Sequence, residues 1–219
     1  MKRFLIRLTN MITGLIFYAT GIVLMINANI GYAPWEVFHV GLANTIGLSI
    51  GVTSIIAGIF IVIIVTVLGE KLGFGTICSM ILTGIFIDII FYLKIIPVIN
   101  NLLSGIFMSI SGMFIIAMGS FFYIRSAFGA GPRDNLMVVL ARRTKLPVGL
   151  CRSIIELLVT IIGWLLGGMI GLGTIISVIA VGFCIQTVFK IFKFDVTAIE
   201  HETLGDSMKS IFGKRESDA

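Results

Sequence analysis

Six long apolar stretches dominate the pattern of hydrophobic and polar positions along the chain. They cover roughly residues 8–28, 50–68, 74–93, 103–125, 148–167 and 172–190. Each is close to the ~20 residues with which an α-helix crosses a bilayer. The two-residue alternation of a half-buried strand is absent, and a continuous apolar segment in lipid satisfies its own backbone hydrogen bonds as a helix. The pattern therefore predicts an all-α, polytopic membrane helix bundle.

Composition and charge agree with a lipid environment. The 219 residues are 58% hydrophobic and 12% charged, with a mean hydropathy of +1.11 and a formal net charge of +5. An ordinary soluble domain has about 25% charged residues. The small basic excess is typical of the cytoplasmic side of membrane proteins and gives no support to nucleic-acid binding. We therefore expect the lipid bilayer to contact most of the protein surface.

The chain contains two copies of one helical unit. A shift of 98 positions aligns residues 14–91 with 112–189 without a gap, and 25 of the 78 aligned positions are identical. The identical positions include eight glycines and the prolines Pro34 and Pro132, so the match reflects a true internal repeat. The predicted division is a first membrane repeat (1–98), a second membrane repeat (99–192) and a short cytoplasmic tail (193–219).

Each copy contains three predicted spans, and an odd number places the second copy upside down relative to the first. With the N-terminus in the cytoplasm, most lysines and arginines lie inside and only Lys94 lies outside. An eight-span alternative with parallel repeats would move Lys71, Arg125 and Arg133 outside, against the usual excess of basic residues in the cytoplasm. We therefore predict six spans in two inverted repeats, with both termini cytoplasmic.

A short segment follows a Gly-x-x-Pro break in each copy, at residues 34–46 and 132–144. Thirteen helical residues reach about 20 Å, less than the ~30 Å of bilayer hydrocarbon. We predict two half-helices that enter from opposite faces, whose N-terminal N–H groups meet at a central site suited to an anionic group. The alternative is that both segments lie flat at the interface, with Trp35 as an aromatic anchor.

Ionisable residues at membrane depth are the first candidates for a binding site, because burying them is costly. Glu36 and Asp134 occupy equivalent positions in the first turn of the short segments, where a carboxylate also stabilises a helix N-terminus. Arg133 lies beside one of them. Arg152 and Glu156 lie four residues apart in the fifth span and can form an ion pair. In the first copy, uncharged residues occupy the positions equivalent to Arg133, Arg152 and Glu156. The second copy therefore carries most of the candidate charges.

Asp88 and Gln186 are equivalent positions late in the third and sixth spans. They are either interfacial polar residues or contacts for a solute or a proton. The candidate substrate-binding residues are therefore Pro34, Trp35, Glu36, Asp88, Gly131, Pro132, Arg133, Asp134, Arg152, Glu156 and Gln186.

Metal and enzyme signatures are missing from the sequence. His39 is interpreted as an interfacial residue, and with His201 it makes no metal set. Cys78, Cys151 and Cys184 lack C-x-x-C spacing and are interpreted as small apolar residues in the spans. The chain has no G-x-x-x-x-G-K-[ST] loop, no H-E-x-x-H and no G-x-S-x-G. We therefore expect no enzyme activity, no metal and no cofactor.

Several motifs resemble those of the bacterial YczE/YyaS/YitT group of membrane proteins. They are G-x-x-P-W-E, L-G-x-K-x-G-x-G-T, G-A-G-P-R-D-x-L-M, R-x-x-I-E and G-W-L-L-G-G-x-x-G-x-G-T, within residues 10–190. Residues 129–137 and 152–174 are most similar to the YczE-like branch. The resemblance implies a multi-span protein of the bacterial cytoplasmic (inner) membrane and no particular activity.

The leading functional hypothesis is a small-solute transporter or permease in which one copy rocks against the other around the central site. Arg133 and the helix ends would hold an anionic group of the solute, with Glu156 or Asp88 carrying a coupling proton. A passive channel would use the half-helices as a filter. The rival class is a non-transporting membrane partner, either the substrate-binding subunit of an ATP-driven complex or a membrane regulator. Each is compatible with a homo-oligomer.

Overall fold

The computed structural model describes residues 2–70 and 73–194. It contains eight α-helices and, within those residues, no strand. The helices are α1 (Lys2–Asn27), α2 (Pro34–Ile46), α3 (Ile50–Val67), α4 (Phe74–Leu93), α5 (Leu102–Arg125), α6 (Pro132–Thr144), α7 (Val148–Leu165) and α8 (Leu172–Ile191). All except α2 and α6 are long and apolar enough to cross a membrane. The predicted all-helical bundle with six spans and two short helices is therefore confirmed. Lys71 and nearly all of the predicted tail lie outside the described residues.

Helices α1 and α5 form the most extensive helix pair in the bundle. A Cβ atom on Gly14 would lie 2.8 Å from the carbonyl oxygen of Gly119, and one on Gly112 would lie 2.9 Å from that of Gly21. Small residues allow this backbone contact, which favours helix association in lipid. Because the later position in α1 meets the earlier position in α5, the two helices run antiparallel where they touch.

The break after α1 and the break after α5 each bind to the start of a helix from the other copy. The backbone N–H of Gly173 in α8 donates to the carbonyl of Ile30 at 2.8 Å. At the equivalent position, the N–H of Gly75 in α4 donates to the carbonyl of Phe128 at 2.8 Å. The first N–H groups of a helix have no hydrogen-bond partner within that helix. Each of these two contacts therefore gives a partner to a carbonyl of the break and to an N–H group at the start of a helix.

The glycine of each Gly-x-x-Pro break is required by the backbone. Gly31 has a φ of 111° and Gly129 a φ of 126°, a region that favours glycine. A Cβ on Gly31 would lie 2.6 Å from the Cα of Gly171, and one on Gly129 would lie 2.8 Å from the Cα of Gly73. Both the backbone angle and the close approach therefore exclude a side chain.

The helix termini are sorted to two ends of the bundle. At one end, Arg7 of α1 donates from Nε to the carbonyl of Ser126 after α5 at 2.7 Å. Arg143 in the last turn of α6 donates to the carbonyl of Leu68 after α3 at 2.9 Å. We call this the basic end, because it carries Arg7, Arg125, Arg142, Arg143 and Lys145.

The other end of the bundle holds the end of α1, the α4–α5 loop, the end of α2 and the end of α7. Asn27 donates from its side-chain amide to the carbonyl of Ile96 at 2.8 Å. The hydroxyl of Thr45 in α2 donates to the carbonyl of Leu166 at 3.2 Å. The short helices α2 and α6 therefore end at opposite ends of the bundle.

The α1–α5 contact generates a stability prediction. In Gly21→Ala the new methyl group would lie 2.6 Å from both the Gly112 carbonyl oxygen and Cγ1 of Ile116. Overpacking of this kind costs about 1–3 kcal/mol, against a gain of about 1 kcal/mol from alanine's helix propensity. We expect a lower thermal unfolding midpoint in detergent.

Gly149→Ala is the matched control, because nothing lies within 4 Å of a Cβ at Gly149 in α7. Its midpoint should equal or exceed that of the wild type. A Gly21→Ala protein as stable as the wild type would contradict the close antiparallel packing of α1 and α5.

Candidate functional site

A cavity of about 480 Å³ lies at the centre of the bundle, and all eight helices contribute to its wall. Most of the lining residues fall into pairs that are 98 positions apart, such as Glu36 with Asp134 and Ser54 with Arg152. The cavity therefore lies where the two copies of the repeat meet. Nine of the eleven candidate residues line it: Pro34, Trp35, Glu36, Gly131, Pro132, Arg133, Asp134, Arg152 and Glu156.

Both short helices begin at the cavity. Pro34 and Pro132 occupy the first turn of α2 and α6, and the preceding residues Ala33 and Gly131 provide no side-chain cap. Proline has no N–H to satisfy, and the remaining N–H groups of a first turn have no partner within their helix. Since α2 and α6 end at opposite ends of the bundle, their N-termini approach the cavity from opposite directions.

Trp35 is buried rather than placed at an interface. Only 7% of it is exposed, and it packs in a cluster with Ile61, Val65 and Leu136. The burial of Trp35 disagrees with the alternative in which both short segments lie flat at the interface and Trp35 anchors them in lipid.

Arg133 of α6 contacts three side chains of α2. Its Nη1 lies 3.6 Å from Oε1 of Glu36, and its Nη2 lies 3.5 Å from Nε2 of His39. Its guanidinium carbon lies 4.7 Å from the centre of the Trp35 ring, within the range of a cation–π contact. The Glu36 side chain is only 8% exposed and that of Arg133 is 24% exposed. One residue of the second copy therefore links the two short helices.

His39 differs from its predicted role. It is 2% exposed and lines the cavity, whereas an interfacial histidine would be at the surface. The prediction was wrong because it relied on the short, amphipathic look of α2. In the bundle, residues on both sides of α2 are buried, including Glu36, Val37 and Val40.

The predicted Arg152–Glu156 pair is formed. Nε of Arg152 donates to Oε1 of Glu156 at 2.8 Å, and the side chains are 47% and 16% exposed. Both line the cavity from α7, opposite their small equivalents Ser54 and Gly58 of α3, which also line it. The cavity thus holds a second guanidinium, held more tightly than Arg133.

Sequence reasoning missed the hydroxyl groups of the cavity wall. Tyr18 of α1 and Tyr123 of α5 line the cavity, and the Tyr123 hydroxyl donates to the Ser79 hydroxyl at 3.5 Å. A tyrosine in the middle of an apolar span places a polar group at membrane depth. This feature of the sequence could have identified both tyrosines as candidate cavity residues. The other hydroxyl residues of the wall are Ser54, Thr83, Ser120 and Ser177.

Two candidate residues lie away from the cavity. Oδ1 of Asp88 accepts from the backbone N–H of Gly51 at 2.8 Å, and Oδ2 accepts from the Ser49 hydroxyl. Asp88 thus accepts hydrogen bonds from donor groups at the start of α3, as a carboxylate that caps a helix N-terminus does. Gln186 is exposed on α8. The structure therefore gives Asp88 a capping position and brings neither residue to the central site.

Among residues 2–70 and 73–194, no three His, Cys, Asp or Glu side chains come together as metal ligands would. The polar groups of the cavity are instead guanidinium, carboxylate, imidazole and hydroxyl groups. This set can bind a small polar molecule through hydrogen bonds and charge.

Comparisons with known proteins agree with the membrane architecture. Residues 5–190 match the model of a family of unknown function, DUF6198. The uncharacterised membrane protein YczE of Bacillus subtilis is 33% identical over 84% of this chain and 86% of its own. An uncharacterised protein of Haemophilus influenzae is 31% identical over 74% of both chains.

The uncharacterised protein YyaS of Bacillus subtilis is 28% identical over 81% of this chain and 90% of its own. No solved structure matches the chain. The resemblance of the sequence motifs to the YczE and YyaS group is thus confirmed, and this chain with six candidate membrane spans belongs to the DUF6198 family.

Proposed function

We propose that this protein is a transporter that carries a small solute with an anionic group across the bacterial cytoplasmic membrane. The observation that carries the proposal is the central cavity, to which two short helices of opposite direction bring their N-termini together with Arg133. Transporters commonly bind their solute at such paired helix ends near the bilayer midplane. In this proposal the solute is moved and leaves chemically unchanged.

The proposed mechanism is alternating access by two inverted repeats. The contacts between Gly14 and Gly119 and between Gly21 and Gly112 join equivalent helices in antiparallel directions. A two-fold axis perpendicular to both helices would relate such a pair, which supports an axis in the membrane plane. Rocking one copy against the other would open the cavity first to one side and then to the other.

The two guanidinium groups of the cavity, which lie among the carboxylates of Glu36, Asp134 and Glu156, can bind an anionic group on the solute. Arg133 and Arg152 each offer five N–H donors in a planar fork, which fits carboxylate, sulfonate or phosphate oxygens. Their contacts with Glu36 and Glu156 occupy only part of these donors. The N-termini of α2 and α6 add a partial positive charge from the helix dipoles. A cavity of about 480 Å³ admits a solute of metabolite size.

We also propose that the basic end faces the cytoplasm. It carries five lysines and arginines, whereas Lys94 lies near the opposite end. Basic residues near short loops are retained on the cytoplasmic side during insertion.

The orientation can be tested with single cysteines in a protein without Cys78, Cys151 and Cys184. Lys145→Cys lies between α6 and α7, and Asn100→Cys between α4 and α5, at exposed positions. A membrane-impermeant thiol reagent added to intact cells should label the second and spare the first, which reacts only after lysis.

Labelling of the two cysteines from the same side would contradict six spans, because eight spans place both loops inside. Labelling from opposite sides with the order reversed would contradict the proposed orientation alone.

Transport can be measured by counterflow into vesicles that contain the purified protein. The probes are labelled lactate, benzoate, glutamate, isethionate and phosphate, each compared with protein-free vesicles. We expect at least one to be carried, and Arg133→Ala and Arg133→Lys to reduce its rate by about tenfold or more, since lysine keeps the charge but loses the fork.

The matched control is Arg142→Ala. Arg142 also pairs with a glutamate, Glu70, but it lies at the basic end with its side chain 68% exposed. Its rate should stay near that of the wild type. Normal rates in both Arg133 variants would contradict the binding site, and no counterflow of any probe by the wild type would contradict transport of small anions.

A further inference from the structure

Arg133 is held by loose contacts. Its distance to the Glu36 carboxylate is 3.6 Å and its distance to His39 is 3.5 Å. A charge-assisted hydrogen bond is shorter, about 2.7–2.9 Å, and the Arg152–Glu156 pair at 2.8 Å meets that value. The guanidinium of Arg133 can therefore turn from Glu36 to an anionic solute at a smaller loss than that of Arg152.

Such a turn would leave the Glu36 carboxylate buried without its cation. The charged and titratable groups that face the site from other elements are Asp134 beside Arg133, Arg152 and Glu156 on α7, Tyr18 on α1 and Tyr123 on α5. Arg152 is already paired with Glu156. A buried carboxylate that loses its partner is strongly destabilised, and it avoids this by taking up a proton.

The proton belongs on Glu36 rather than on His39. A protonated imidazole would place a second positive charge 3.5 Å from the Arg133 guanidinium. A protonated Glu36 has no such repulsion, and its new O–H can donate to the solute or to water. Asp88 and Glu156, the residues first considered for a coupling proton, are already held by short hydrogen bonds.

We propose that Glu36 is the proton-coupling residue, and that each monovalent anion bound by Arg133 enters with one proton. The inference rests on the proposed transport. The balance is simple: the anion replaces the carboxylate on Arg133, the proton passes from water to the Glu36 carboxylate, and the net charge of the site stays unchanged. On the other side the anion leaves, the proton returns to water and Glu36 pairs with Arg133 again.

The test uses the full protein in vesicles and a monovalent probe that passes the counterflow assay: lactate, benzoate, glutamate or isethionate. With the outside one pH unit below the inside, one proton per anion permits about tenfold accumulation. Protein-free vesicles measure the leak of protonated acid. A protonophore should abolish the accumulation above that leak.

In Glu36→Gln the side chain at this position resembles protonated Glu36 and cannot ionise. We expect any counterflow by this variant, even at a reduced rate, to occur without accumulation of the probe above the protein-free leak. Glu36→Asp restores an acid and should restore accumulation. Glu70→Gln, the same change in the Glu70–Arg142 pair outside the cavity, should accumulate the probe as the wild type does.

The outcomes separate this inference from the transport proposal. Counterflow without pH-driven accumulation in the wild type, or full accumulation in Glu36→Gln, would overturn proton coupling at Glu36 and leave transport standing. No counterflow of any probe would overturn both.

Discussion

Backbone N–H and C=O groups in a bilayer must find partners inside the protein, and the two breaks in the helices of this bundle depend on that constraint. Each break is satisfied by the start of a helix from the other copy, through Ile30 with Gly173 and Phe128 with Gly75. Without these bonds an irregular segment could not lie in the bundle. These hydrogen bonds between the copies satisfy the backbone of the breaks. They allow the short helices to follow the breaks and the cavity to form at the N-termini of those helices.

The two copies share their scaffold and differ in their chemistry. Glycines and prolines at equivalent positions set the helix packing and the breaks. The side chains that face the cavity have diverged: Trp35 is equivalent to Arg133, and Ser54 to Arg152. The contact of Arg133 with Trp35 and Glu36 therefore joins residues that are not equivalent. A symmetric scaffold thus encloses an asymmetric site, in which the second copy supplies both guanidinium groups.

The errors of the sequence analysis have a common physical cause. Asp88 and Glu36 are both carboxylates in apolar surroundings, and the sequence gives no means of telling them apart. Asp88 finds backbone donors at the start of α3, whereas Glu36 faces an arginine from another helix. His39 was interpreted as interfacial because α2 is short, and the alternative role of Trp35 as a lipid anchor had the same basis, yet both residues are buried. In each case the partner is distant in sequence.

The sequence by itself determined the membrane environment, the helical class, the six spans and the repeat, because hydrophobic length and glycine spacing are local properties that lipid enforces directly. It also identified the charged residues that line the cavity, since charge at membrane depth is costly wherever it occurs. Only the tertiary structure decided that Arg133 of α6 contacts Glu36, His39 and Trp35 of α2. Those contacts depend on how the two copies pack together, which no local pattern records.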